Sequence, residues 1–421
     1  MKHRKEVSDT IYLTALQGLN YIAPLIVFPY LMKTLGAEKF GYISFSLAVT
    51  QYLMLIIDFG FNLSATKRIA LAKGNQQELN KVFTATVLSK IFLLIVSFVL
   101  LIAIESIPRF SIYRITTFIM FLMVIGNTFS FVWLFQGLGN IRIASIINTV
   151  AKLSILPLVF LFVKKQEDYL SAAFIQSLVF IISTLITILF IYKNKWVSFV
   201  KTSRNEILNE MKESFPLFIS IAATSIYTSS FVVVLGYFTT PMEVGKYAAV
   251  DKLMRALCYL IFIPVSQAFY PKISRLAQEN KAQAVKLTIR IFFAVGLSMI
   301  FLLLGMFFGG PLATKFLGND YNGSEILCRI LAFVPLFVAT GGVAGQLVLL
   351  AIGNKADKKY FQRVYLFAGC VALISIFILI PLWSSTGAAI SLLLTEFVVS
   401  FLMCWRAVKV YLLPSKALIL D

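Results

Sequence analysis

The chain has 421 residues, 59% of them hydrophobic and 14% charged, with a mean hydropathy of +0.87, whereas a soluble domain carries about 25% charged residues. Most of it is therefore dissolved in a bilayer. Its formal charge of +19 would suggest nucleic acid in a soluble protein, but no polar stretch is long enough to fold into a nucleic-acid-binding domain, so the basic excess belongs to membrane topology, anionic lipid or an anionic cargo.

The N-terminal tail, Met1 to Asp9, is basic and holds the single histidine, His3. The apolar run Ile11 to Met32 that follows is too long for a signal-peptide core and lacks a small-x-small cleavage site, so it reads as an uncleaved first span. About 20 apolar residues cross the hydrocarbon. Windows of that size predict spans near 10–32, 40–62, 82–104, 112–134, 144–164, 169–192, 213–236, 247–270, 284–307, 325–352, 361–382 and 385–407, twelve in all. With the N-terminus inside, 25 Lys and Arg fall in cytoplasmic segments and 8 in outside ones, which the positive-inside rule requires of a chain with both termini cytoplasmic. The longest connections, 63–81 and 193–212, are both cytoplasmic. In the second, Trp196, Phe199, Val200, Ile207, Leu208 and Met211 recur among charges at helical spacing, predicting an interfacial helix on the inner membrane surface. The expected organisation is thus a six-helix lobe over 1–192, a linker helix over 193–212 and a second six-helix lobe over 213–421.

Small counts narrow the chemistry. Cys258, Cys328, Cys370 and Cys404 lie in apolar stretches without metal-ligand spacing and read as buried packing residues. A single tail histidine excludes a His-based triad or zinc site, and no G-x-x-x-x-G-K-[ST] is present to bind ATP. No metal, cofactor or catalytic residue is expected, and the short loops leave no room for an extramembrane active site.

The two halves echo one another. Leu35-Gly36 with Phe40-Gly41-Tyr42 is matched by Leu235-Gly236 with Val244-Gly245-Lys246-Tyr247, and Arg68-Ile69-Ala70 by Arg275-Leu276-Ala277. Six spans plus six, both sets starting inside, imply lobes related by an axis along the membrane normal. Pro24 and Pro29 in the first span, Pro216 in the seventh and Pro264 in the eighth each remove a helical hydrogen bond, giving either static kinks or moving hinges.

Five cations remain inside the spans: Lys90, Lys152, Lys252, Arg255 and Arg329. A charge at a helix centre costs about 2.5–3.5 kcal/mol, so each needs a wet cavity or a partner. Lys90 and Lys152 lie about 12 Å deep at 1.5 Å per residue, too far to snorkel easily. Arg255 follows Asp251 by four and Arg329 follows Glu325 by four, so either could be a helix-face ion pair. Among acids, Asp58 sits near the inner end of the second span and Glu396 in the middle of the twelfth. Each is a candidate for ion coupling, with a structural hydrogen bond as the alternative. The cationic interior suits an anionic cargo such as a diphosphate.

Residues Gly18-Leu19-Asn20-Tyr21 with Pro24 and Pro29-Tyr30-Leu31, Leu35-Gly36-Ala37-Glu38-Lys39-Phe40-Gly41, and Asp58-Phe59-Gly60-Phe61-Asn62-Leu63-Ser64-Ala65-Thr66 resemble the opening of Wzx-type O-antigen flippases. These form part of the polysaccharide-transport branch of the multidrug/oligosaccharidyl-lipid/polysaccharide (MOP) exporter superfamily. Lys212-Glu213-Ser214-Phe215-Pro216-Leu217-Phe218, Tyr227-Thr228 and the run from Val244 through Asp251-Lys252-Leu253-Met254-Arg255-Ala256 extend the likeness, which covers about residue 10 to 405. It implies an all-α integral membrane protein of the bacterial inner membrane, with twelve helices in two V-shaped, MATE-like lobes. Such a protein would move an undecaprenyl-diphosphate-linked oligosaccharide to the outer leaflet without catalysis. The glycan, the surrounding lipid, an O-antigen polymerase and a chain-length regulator are the partners implied. In such proteins spans 1, 2, 7 and 8 line the cavity, which promotes Lys252 and Arg255 to head-group candidates. Many relatives carry an acid shortly before the Leu-Gly of the seventh span; Ser229 and Ser230 occupy that region here, so a coupling role at that position does not transfer. The rival readings are a MATE-like exporter of organic cations, which the scarce intramembrane acids oppose, and a polysaccharide polymerase or glycosyltransferase, which the short outside loops oppose.

Overall fold

A computed structural model describes the backbone over residues 2–411 and side chains over residues 25–411, apart from 220, 223, 224, 226–228 and 311. Among the described residues the chain is helical with no strand. In hydrocarbon every backbone N–H and C=O must be paired within its own segment, and apolar runs rich in Leu, Ile and Phe do this as helices. In order these are α1 (Lys2–Asp58), α2 (Phe61–Leu71), α3 (Gln76–Glu105), α4 (Arg114–Thr128), α5 (Val132–Gly137), α6 (Ile141–Leu153), α7 (Ile155–Phe162), α8 (Tyr169–Asn194), α9 (Arg204–Phe238), α10 (Pro241–Glu279), α11 (Lys281–Leu317), α12 (Glu325–Leu331), α13 (Val334–Gly342) and α14 (Lys355–Tyr411), with a π-helical stretch at Val343–Leu350.

Eight stretches among the described residues are long and apolar enough to cross a membrane. Two of the helices run through a break. Helix α1 leaves helical geometry only at Gly36, and α14 only at Trp383 and Ser384, so the first two and last two predicted spans are joined by tight bends rather than loops. Polar side chains start the helices that follow loops: Asn75 accepts from the Glu78 N–H, and Asn280 from that of Gln283.

The described chain forms two compact units, Met1–Ser229 and Ser230–Asp421. In the first, α4 and α8 approach closely because Gly126 has no side chain; a Cβ there would stand 2.7 Å from Phe180 Cβ. Thr184 Oγ1 donates to the Gly126 carbonyl at 2.7 Å, and Ser46 and Thr117 share a hydrogen bond at 3.0 Å. Small residues and interhelical hydroxyl bonds replace the hydrophobic drive that lipid removes. The second unit has an apolar core built on Cys258, Phe262, Val295, Met299 and Leu347, with Thr340 and Ser400 hydrogen-bonded beside it at 2.9 Å.

Two expectations meet a different local structure. Residues 196–203 are not helical, and helix resumes only at Arg204. The strap is held instead by side chains of α3: Gln76 Nε2 donates to the Trp196 carbonyl, Asn80 both donates to Ser198 Oγ and accepts from its N–H, and Thr84 accepts from the Val200 N–H. These bonds satisfy an extended backbone that helical spacing of apolar residues could not foresee. Cys370 is exposed rather than buried, because an apolar side chain on a spanning helix is as well solvated by lipid as by protein.

Candidate functional site

Each unit holds its own buried or half-buried cluster of opposite charges. In the first, α1 ends at Asp58, and the chain turns through Phe59 (φ 40°) and Gly60 (φ 83°) into α2. That turn points the Asp58 carboxylate at Lys90 of α3, whose Nζ lies 3.3 Å from Oδ1. Asn127 of α4 completes the group: its Nδ2 donates to Asp58 Oδ1 at 3.1 Å, and its carbonyl accepts from Lys90 Nζ at 3.2 Å. Lys90 is fully buried, so its charge is offset here by one carboxylate and one carbonyl.

In the second unit, α10 carries Asp251, Lys252, Arg255 and Tyr259 along little more than two turns. Arg255 Nε donates to both Asp251 oxygens, at 2.8 and 3.0 Å, and Nη1 to Tyr259 Oη at 3.4 Å. Glu396 of α14, 7% exposed, stands within electrostatic reach of Arg255 and Asp251. Lys252 lies within reach of Asp251, and Tyr365 within reach of Glu396 and Tyr259. The arrangement places two carboxylates near one guanidinium, so that neutralising Asp251 would free the Arg255 Nε for another anion, and neutralising Glu396 would leave the guanidinium's charge less compensated.

The remaining predicted residues lie apart from these clusters. Lys152 is exposed near the end of α6, two residues before that helix gives way at Ser154 to α7. Arg329 is exposed on α12 and lies over the Phe307 ring at 5.8 Å; its expected partner Glu325 instead accepts from Thr314 Oγ1 at 3.3 Å. Pro29, Pro216 and Pro264 lie within α1, α9 and α10; the side chain of Pro24 and that of His3 fall outside the described residues. Among the described residues no group of three metal-ligating side chains is assembled.

Three features escaped sequence reasoning. Asn127, alone and polar in an apolar span, carried a signal that went unused. So did Tyr259, four residues after Arg255. The third is an ion pair at one end of the first unit, Arg68 of α2 with Glu210 of α9, beside a Ser64–Ser214 hydrogen bond of 2.6 Å. Burial pushes the Glu210 carboxyl up to about 7 against the pull of Arg68.

The sequence matches the polysaccharide biosynthesis protein family over residues 7–277. The "Putative O-antigen transporter" of Escherichia coli K12 is 32% identical over 402 residues, 94% of this chain and 95% of that protein. The chain belongs to the polysaccharide biosynthesis protein family. Within that family a Shigella dysenteriae protein of the same description is 31% identical over 409 residues, covering 95% and 99% of the two chains. Among solved structures the fold resembles the lipid II flippase MurJ in an inward closed conformation (TM-score 0.72, 13% identity, 94% of this chain and 87% of that one). It also resembles an inward-facing MATE transporter of the MOP superfamily (TM-score 0.65, 12% identity, 92% and 97%). The all-α, multi-pass MOP-type membrane fold and the family expected from the opening motifs are therefore established for this family member. Among the described residues, the clusters around Arg255 and Lys90 are two of its groups of opposite charge, beside the Arg68–Glu210 and Arg406–Asp357 pairs.

Proposed function

We propose that this chain is a flippase, not an enzyme, that moves an undecaprenyl-diphosphate-linked oligosaccharide, such as an O-antigen repeat unit, from the cytoplasmic to the periplasmic leaflet of the bacterial inner membrane. The reading rests on one observation: the match to proteins described as O-antigen transporters runs over nearly their whole length. Both termini are cytoplasmic in this reading, and transport proceeds by alternating access between the lobes at 1–192 and 213–421, linked through 193–212. Pro24, Pro29, Pro216 and Pro264 are the candidate bending points.

Arg255 and Lys252 are the leading head-group cations, with Lys90, Lys152 and Arg329 as further candidates along the path. In its present arrangement Arg255 spends its Nε on Asp251, so a diphosphate has to displace a carboxylate that is already bidentate. A proton or cation taken up by Asp251 removes that competition, and one taken up by Glu396 leaves more of the positive charge of Arg255 uncompensated, so either couples an ion to an anionic cargo without a covalent step. Asp58, paired with Lys90, offers the same exchange in the first unit. Export of organic cations is disfavoured, because both carboxylates of the second cluster share Arg255 rather than standing open. The polymerase and chain-length regulator of the same glycan are expected partners in the membrane.

The test is complementation of a strain lacking its own flippase. Arg255→Ala should abolish surface glycan at unchanged membrane level of the protein, while Arg255→Lys retains part of it; normal display by the Ala variant would remove Arg255 from the transport path. Glu396→Gln should transport with a flattened dependence on the pH gradient, and an unaltered dependence would remove it as a coupling group.

A further inference from the structure

The strap over residues 196–203 roofs a cavity of about 890 Å³ in the first unit, walled by α3, α8 and the turn between α4 and α5. That volume falls in the range of about 300–1,000 Å³ typical of small-molecule pockets. Its inner wall is aromatic: Phe83 and Phe131 are buried, with ring centroids 5.4 Å apart, and Phe199 on the strap sits 5.2 Å from Phe83. Its mouth is open. Tyr192 is 83% exposed and Phe199 66%, apolar surface that water at a membrane interface would penalise.

Two cations stand at that mouth and no carboxylate lines the cavity. Lys193 and Lys195 are both exposed, and neither is ion-paired among the described residues. Lys195 closes α8 in the left-handed region (φ 50°), which swings the chain from the helix end into the strap and leaves both lysines beside the opening. Lysines at a helix C-terminus complement its dipole, but that alone does not explain an aromatic-lined void next to them.

We propose that this cavity holds one anionic phospholipid of the inner leaflet, its phosphate on Lys193 and Lys195 and its acyl chain against Phe83, Phe131 and Phe199. The assignment to the inner leaflet rests on the topology proposed above. Two point charges over an apolar groove suit one phosphodiester and its chains. They do not suit the lipid-linked glycan, which needs polar walls: the amides of Gln76 and Asn80, the polar groups nearest the strap, are already bonded to it. A lipid seated here would cover the strap's apolar side and hold it to α3.

The test uses full-length protein with Tyr192→p-benzoylphenylalanine, reconstituted in nanodiscs of equal parts phosphatidylcholine and phosphatidylglycerol, irradiated and analysed by mass spectrometry. The phosphatidylglycerol adduct should exceed the phosphatidylcholine adduct by at least about fivefold, and Lys193→Gln with Lys195→Gln should bring the two to parity. Parity in the parent, or a preference that survives loss of both lysines, overturns the proposal. So does displacement of the phosphatidylglycerol adduct by equimolar undecaprenyl diphosphate, which would mark the groove as the carrier lipid's. Labelling of Lys195→Cys by an impermeant maleimide added outside intact cells would overturn the inner-leaflet assignment. Because the readout is a lipid adduct, its failure leaves the flippase reading standing, and failure of the Arg255 complementation leaves the lipid adduct untouched.

Discussion

Breaking the Asp58–Lys90 pair should cost more from the acid side than from the base side. The Lys90 side chain is 1% exposed and that of Asp58 30%. Asp58→Asn therefore strands an ammonium away from water, whereas Lys90→Met leaves a carboxylate that water can still reach and that keeps the Asn127 amide. At 3.3 Å and an effective dielectric near 20, the pair attracts by about 5 kcal/mol, in line with the loss of about 3–5 kcal/mol when one partner of a buried pair is removed. Asp58→Asn is expected at the upper end of that range and Lys90→Met at about 1.5–3 kcal/mol, the scale of a lost charged hydrogen bond. The double variant should resemble Lys90→Met alone, so the losses do not add. The assay is heat-induced loss of monodisperse protein in detergent, followed by fluorescence-detected size exclusion, with all variants in one detergent. Equal losses for the two single variants, or a double variant at their sum, would refute the asymmetry.

Two further predictions concern the end of the first unit where α2 meets α9. Glu210, held near 7 instead of the ordinary 4.5, binds its proton more readily folded than unfolded, so its contribution is most favourable below about 4.5 and is lost as pH rises toward 7. The melting midpoint should carry that downward slope, and Glu210→Gln should flatten it; an identical slope in the variant would contradict the assignment. Gly60→Ala should lower the stability by more than about 1 kcal/mol, and the midpoint with it, because φ is +83° and the new Cβ would lie 2.7 Å from the Ser214 carbonyl oxygen. Gly74→Ala is the control, with φ +98° but nothing within 4 Å, and it should lose only the conformational part.

Apolar periodicity located the helices and the i, i+4 rule located the Asp251–Arg255 pair, because both are local. Arg329 shows the limit of the same rule: Glu325 opens a helix of only seven residues, Glu325–Leu331, and turns to Thr314 of the neighbouring α11. Lys90 and Asp58 are 32 residues apart and Arg68 and Glu210 142, so their pairing depends on helix register that a one-dimensional pattern does not hold. The strap was misread as helix because Trp196 and Phe199 are spaced like a helical face, yet each packs on a different partner: Trp196 on Phe135 and Phe190, Phe199 on Phe83. The tight bends at Gly36 and Trp383–Ser384 likewise left no loop to see.

Helix α9 starts in the loop region between the predicted halves and runs on past Ser229, where the first compact unit ends. Its opening turns are committed to the first unit through Glu210 on Arg68 and Ser214 on Ser64. A gene fission placed at the polar loop around residue 200, where the sequence invites it, would hand those turns to the wrong fragment and leave Arg68 without its acid. A bipartite version of this chain, whether natural or built for co-expression, has to be cut beyond Ser214, inside a continuous helix and not at the most hydrophilic point between the two halves.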